Sequence, residues 1–138
     1  MLVDHDGIVD KFVGDEVFAI FIPALNGELH AARAIAAARA LLGATGHGTD
    51  SPWLPVGAGV HSGIAFVGSV GGGAHTEMTA LGDAVNVAAR LASAARAGEV
   101  LVSVAAADAA ELDRAGLERR ELALKGKSDT TSALVLGA

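Results

Sequence analysis

Leu81-Gly82-Asp83-Ala84-Val85-Asn86-Val87-Ala88-Ala89-Arg90-Leu91 is the stretch on which the reading of this chain turns. A Gly-Asp pair opens a helix, and Asn86 and Arg90 follow at i and i+4. That spacing puts an amide and a guanidinium on one helix face, a turn apart. The residues around them are small or apolar. A planar cation beside a hydrogen-bonding amide on such a helix suggests a grip on a phosphate or a sugar oxygen. The alternative is a solvated Arg90 and an Asn86 that merely caps a turn. This stretch alone does not choose between them.

Upstream, Gly7 to Phe12 and Val17 to Ile22 read as two short strands. Val13-Gly14-Asp15-Glu16 is the hairpin turn between them, and Pro23 ends the second strand. Glu28 to Leu42 is an Ala-rich helix with Leu29, Ile35 and Leu42 among its apolar positions. Gly43 to Pro55 is a loop, with Trp53 expected to pack onto the fold. Val56 to His61 and Ile64 to Val67 read as a second hairpin bent at Ser62-Gly63. Gly68 to Glu77, with Gly71-Gly72-Gly73, reads as a flexible arm. Downstream, the helix runs from Asp83 to Ala95. Glu99 to Ser103 is a buried strand and Ala105 to Leu112 a short helix. Leu117 to Leu124 and Ala133 to Leu136 are final strands around a Lys125-Gly126-Lys127 turn. Hairpins alternating with helices predict an α+β fold, with helices on one face of a mostly antiparallel sheet. No internal repeat or domain boundary interrupts residues 1–138, so they read as a single domain.

Composition agrees with that size. The chain has 138 residues, 51% of them hydrophobic, with 18 glycines and 4% aromatics. This is enough for one core built from small side chains. There is no cysteine, which excludes disulfides and thiolate metal sites. No apolar run is long enough to cross a bilayer, and the N-terminus has no signal-peptide pattern. A cytoplasmic location is the expectation. The net charge of −6 argues against nucleic-acid binding, which calls for basic faces. One nucleotide remains compatible, because a few basic groups and metal ions can neutralise it locally. The five histidines are scattered without metal-ligand spacing, and His61 reads as structural. Gly71-Gly72-Gly73 lacks the Lys-Ser/Thr of a P-loop.

A second segment, Asp10-Lys11-Phe12-Val13-Gly14-Asp15-Glu16-Val17, carries the remaining chemistry. A carboxylate at a hairpin tip is well placed for a hard divalent cation. Lys11, four positions earlier on the strand, can reach a base or a phosphate. Taken alone, the segment is better served by an Asp15 that satisfies its turn and a solvated Lys11.

Four motifs occur in one order: Lys11-Phe12-x-Gly14-Asp15; His61-Ser62-Gly63; Thr79-x-Leu81-Gly82-Asp83-x-Val85-Asn86-x-Ala88-x-Arg90-Leu91; and Leu124-Lys125-Gly126-Lys127. Together they resemble the catalytic domain of the class III adenylate and guanylate cyclases, from about Gly7 to the C-terminus. The resemblance implies a ferredoxin-like nucleotidyl cyclase fold and conversion of a nucleoside triphosphate to the 3′,5′-cyclic monophosphate and pyrophosphate. It implies two divalent metal ions, Mg2+ or Mn2+, in the complete site. Asp15 matches the second of the family's two metal aspartates. Lys11 matches the lysine that helps select adenine. Thr79 stands at the second base-selecting position, a pairing that implies ATP rather than GTP. Asn86 matches the residue that orients the ribose, and Arg90 the arginine that stabilises charge on the reacting phosphate. Lys125 matches the lysine on the outer phosphates.

The resemblance further implies a homodimer with active sites at the interface. The metal aspartate comes from one protomer, and the base-selecting pair, Asn86 and Arg90 from the other. One feature of the family is not matched. Its first metal aspartate lies in a segment resembling Phe-x-Asp-Ile-x-Gly-Phe, and these residues contain none. The expectation is a partial, N-terminally truncated domain whose chain alone has little or no cyclase activity. A non-catalytic module that binds nucleotide or a partner is the alternative.

Overall fold

Val100-Leu101-Val102-Ser103 is buried at all four positions. A strand buried on both faces needs cover on both sides, and that requirement organises the molecule. A computed structural model of the chain describes residues 7–13, 16–49, 51–63, 66–70, 77–123 and 130–138. The elements in order are β1 (Ile8–Val13), β2 (Glu16–Ile20), α1 (Pro23–Asn26), α2 (His30–Ala44), β3 (Ala58–Val60), β4 (Phe66–Val70), β5 (Glu77–Leu81), α3 (Asp83–Ala94), β6 (Val100–Ser103), α4 (Val104–Ala109), β7 (Glu118–Ala123) and β8 (Thr130–Leu136).

The central sheet has four strands in the order β3-β6-β8-β7. β6 pairs antiparallel with β8, and β8 with β7. β3 pairs parallel with β6, Gly59 opposite Leu101. Side chains alternate between the faces of a strand, and the core divides accordingly. Val100 and Val102 of β6, with Leu134 and Leu136 of β8, pack with Ile35, Ala38 and Leu42 of α2 and Ala106 and Ala107 of α4. Leu101 and Ala133 point the other way and pack with Val87 and Leu91 of α3. Helices therefore cover both faces of this sheet, not one. β6 is apolar at successive positions rather than alternate ones, so one covered face would leave Leu101 in water.

Two further strand pairs complete the fold. β1 and β2 form the expected antiparallel hairpin, with Val13 opposite Glu16. The connecting residues 14–15 lie outside the described residues. A register shift between Val9 and Lys11 marks one extra residue on β1. β4 pairs antiparallel with β5, so Gly68–Val70 and Glu77 of the expected glycine-rich arm are strand, and its residues 71–76 lie outside the described residues. The expected second hairpin is not formed among the described residues. β3 takes β6 as its partner, and β4 takes β5. Parallel strands need a crossover connection, and the segment between β3 and β6 supplies it through α3.

Trp53 also departs from expectation. It is 70% exposed, although its indole N–H donates to the Ala44 carbonyl over 3.1 Å. Among the described residues, no helix is long and apolar enough to cross a membrane.

Candidate functional site

β5 runs into α3 with one residue between them, Gly82. Its φ is +130° and its ψ 178°, a region open essentially to glycine alone. The chain thus turns from strand to helix within one residue, which fixes Thr79 on β5 relative to Asn86 and Arg90 on α3. Asp83 follows in the first helical turn, where a carboxylate favours the positive end of the helix dipole. Val87 and Leu91 are buried against the sheet, while Asn86 and Arg90 are exposed. The helix offers its amide and guanidinium to solvent or ligand from a buttressed apolar base.

β1, the strand of Lys11, lies beside β5, the strand of Thr79. The fold therefore brings the elements carrying Lys11, Thr79, Asn86 and Arg90 into one neighbourhood: β1, β5 and the helix that β5 feeds. Thr79 stands opposite Gly68 of β4 in the strand register, and Lys11 opposite Phe18 of β2. Asp15 and Lys125 lie outside the described residues. Among the described residues, no group of three or more His, Cys, Asp or Glu side chains gathers in a way that could hold a metal ion. Glu16, beside Asp15 in the chain, is the exposed first residue of β2.

Contacts beneath α3 set its place. A Cβ built on Gly59 of β3 would fall 2.4 Å from the Ala92 backbone N, so only glycine admits the helix this close. His61, just beyond β3, is half-buried, and its Nδ1 lies 2.8 Å from the Ser103 Oγ. The same oxygen accepts the Ala106 N–H over 3.1 Å and caps α4. His61 thus ties the end of β3 to the end of β6, in keeping with a structural role.

At the far end of β6, Glu99 accepts both arms of the Arg120 guanidinium at 3.0 Å each and the Arg96 N–H at 2.8 Å. Arg120 also holds Glu118 at 2.9 Å. The hydrogen bond from Arg120 keeps the Glu99 carboxyl below the usual carboxylate range, against a smaller opposing effect of burial. Glu99 and Glu118 together raise the Arg120 guanidinium above its ordinary value. This clamp fastens β7 to the turn that follows α3.

Residue-type reasoning found Asn86 and Arg90 but missed Gly59. The signal was present in Gly57-x-Gly59-x-His61-x-Gly63. Cβ atoms built on Gly57, Gly59 and Gly63 would meet Ala95, Ala92 and Ala84 in turn.

The profile of the adenylate and guanylate cyclase catalytic domain matches residues 7–137. Adenylate cyclase 1 of Rhizobium meliloti (strain 1021) is 37% identical over 93 residues, covering 63% of this chain and 14% of that protein. The chain thus spans a small part of this curated relative. The crystal structure of the guanylyl cyclase Cya2 superposes with a TM-score of 0.75 at 25% identity, over 99% of this chain and 73% of that one. That of the adenylyl cyclase CyaB from P. aeruginosa does so with a TM-score of 0.65 at 27% identity, over 99% and 75%. With the motif order, the two-faced sheet and the profile match in agreement, this chain belongs to the family of adenylate and guanylate cyclase catalytic domains.

Proposed function

We propose that this domain serves an adenylate cyclase, forming 3′,5′-cyclic AMP and pyrophosphate from ATP between two copies of the chain. The observation that carries the reading is the continuous β5-Gly82-α3 unit with β1 beside it. It supports joint action of Lys11 and Thr79 on the base, Asn86 on the ribose and Arg90 on the phosphate. In the reaction the ribose 3′-oxygen bonds to the α-phosphorus, and the bond from that phosphorus to the bridging oxygen of pyrophosphate breaks. The hydroxyl proton leaves to solvent. Negative charge grows on the α-phosphoryl oxygens and the leaving pyrophosphate. A guanidinium fixed on a buttressed helix stabilises such charge without reorganising. Asn86, one turn earlier on the same face, holds the ribose so that its hydroxyl stays in line. Lys125 is assigned to the outer phosphates.

The family generally uses divalent metals, which activate the hydroxyl and neutralise the phosphates when bound. Asp15 is the residue assigned to hold one. A single chain carries both Asp15 and the set Lys11, Thr79, Asn86 and Arg90. Two-fold pairing would therefore build two equivalent sites. The preference for ATP rests on Lys11 paired with Thr79. The similar structures include both an adenylyl and a guanylyl cyclase.

Calorimetric titration of the chain with ATP and with GTP in Mn2+ tests the substrate. ATP should bind more tightly, and Lys11→Glu should abolish the preference. Unchanged selectivity in that variant would show the base-selecting assignment to be wrong. Nucleotide binding without product, even with a segment carrying the family's first metal aspartate joined to the chain, would select instead a nucleotide-binding module without turnover.

A further inference from the structure

A Cβ built on Gly59 would lie 2.4 Å from Ala92 N, 2.7 Å from Leu91 Cβ and 2.8 Å from Ala88 O. Two of these three atoms are helix backbone, which no rotamer change moves aside. Real Cβ contacts essentially never fall below 3.0 Å, so any side chain at 59 lifts α3 off β3 or tilts it. Gly63 makes a milder contact under the first helical turn, with its built Cβ 3.1 Å from Ala84 Cβ. The contacts at Ala84, Ala88 and Ala92 recur every four residues along the helix face that meets the strand. Asn86 and Arg90 are spaced between these contact points and are exposed.

We propose that Gly59, assisted by Gly63, is a positioning residue for Asn86 and Arg90. It sets the height of α3 over the sheet, and with it where the amide and the guanidinium meet a nucleotide. This rests on the assignment of those two residues to ribose and phosphate. The seat acts on α3 alone. The atoms that Gly59 meets belong to α3 and not to β1 or β5, so base discrimination by Lys11 and Thr79 should survive when the helix is lifted.

The test is calorimetric titration of the full chain with ATP and GTP in Mn2+. Gly59→Ala should raise the dissociation constant for ATP about tenfold or more, because displacements on the ångström scale cost that much at a site. The number of sites should stay unchanged, and so should the ratio of ATP to GTP affinity. A merely structural role would lower the number of sites through loss of folded protein and leave the constant alone. Val102→Ala provides the control. Val102 is buried on the face that meets α2 and α4, so its loss should lower the melting temperature and shift the constant less than about threefold. In an Asn86→Ala, Arg90→Ala background, Gly59→Ala should add no further loss. If Gly59→Ala does not fold, Gly63→Ala carries the test, with an expected rise of about threefold. An unchanged constant in the folded variant, or an equal loss in the Asn86/Arg90 background, overturns the proposal. If the parent chain binds neither nucleotide, the cyclase reading and the positioning role fall together. If Arg90→Ala weakens binding and Gly59→Ala does not, the positioning role falls alone.

Discussion

Leu91 is 0% exposed, on the inner face of α3, and packs with Val87, Leu101 and Ala133. Leu91→Ala removes three carbons from this cluster. The lost transfer free energy is about 2 kcal/mol, and a cavity that the surroundings only partly fill adds about 1–2 kcal/mol more. Collapse should be incomplete. The neighbour across the interface is the backbone of β3 at Gly59, which has no side chain to swing into the space. The expected destabilisation is therefore about 3–4 kcal/mol, a large share of the total for a domain of this size. Urea unfolding followed by circular dichroism reads it as a lower midpoint at unchanged slope. Leu54→Ala, at a loop residue 45% exposed, should stay within about 0.5 kcal/mol on the same assay. A Leu91→Ala cost below about 1 kcal/mol would refute the seating of α3 on the sheet, and with it the support claimed for Asn86 and Arg90.

Arg90→Ala and Asn86→Ala remove exposed groups, so stability should change by no more than about 0.5 kcal/mol. In the chain joined to a segment carrying the family's first metal aspartate, cyclase turnover should fall about 10²–10³-fold for Arg90→Ala; parallel melts and product assays separate the two effects. Gly82→Ala forces a side chain into a glycine-only conformation and should cost about 1–3 kcal/mol in thermal melts. Ser103→Ala removes the α4 cap and the His61 contact, and about 1–2 kcal/mol is expected from urea unfolding. Glu99 has a folded pKa depressed below its ordinary 4.5. Its contribution is therefore present above that value and lost as pH falls through the lower folded one. Melting curves of Glu99→Gln and the parent should differ at pH 6 and converge in acid below pH 4.5. A gap that widened in acid would contradict the clamp.

Much of this fold was legible because its signals are local. The buried run Val100–Ser103, the period of α3 and the short connection after Val13 each declare themselves within a few residues. The failures came from pairings that no local pattern carries. Val56 to His61 and Ile64 to Val67 look like partners, since Ser62-Gly63 between them is good turn chemistry. Yet Ala58 pairs with Val100, a parallel match that only the intervening helix makes geometrically available. Phe66–Val70 finds its partner in Glu77–Leu81, beyond three consecutive glycines that suggest a loop. The placement of helices on one face failed for a related reason. Hairpins alternating with helices suggest one covered face, whereas β6 is apolar at adjacent positions and needs cover on two. Trp53, next to Pro52 and Pro55, reads as a loop aromatic that packs onto the fold. Its ring stays exposed while its indole N–H bonds to a helix-end carbonyl. For the site, Asn86 and Arg90 were legible from spacing. Gly59 was not, because a glycine reveals its role only when the atoms facing it are known.

Product formation from ATP and GTP, side by side in Mn2+, tests the central claim most directly. It should be measured on this chain and on the chain joined to a segment carrying the family's first metal aspartate. The account predicts cyclic AMP in clear excess over cyclic GMP from the joined form, and little of either from the 138 residues alone. Cyclic GMP as the main product, or no product from either form despite folded protein, would contradict it.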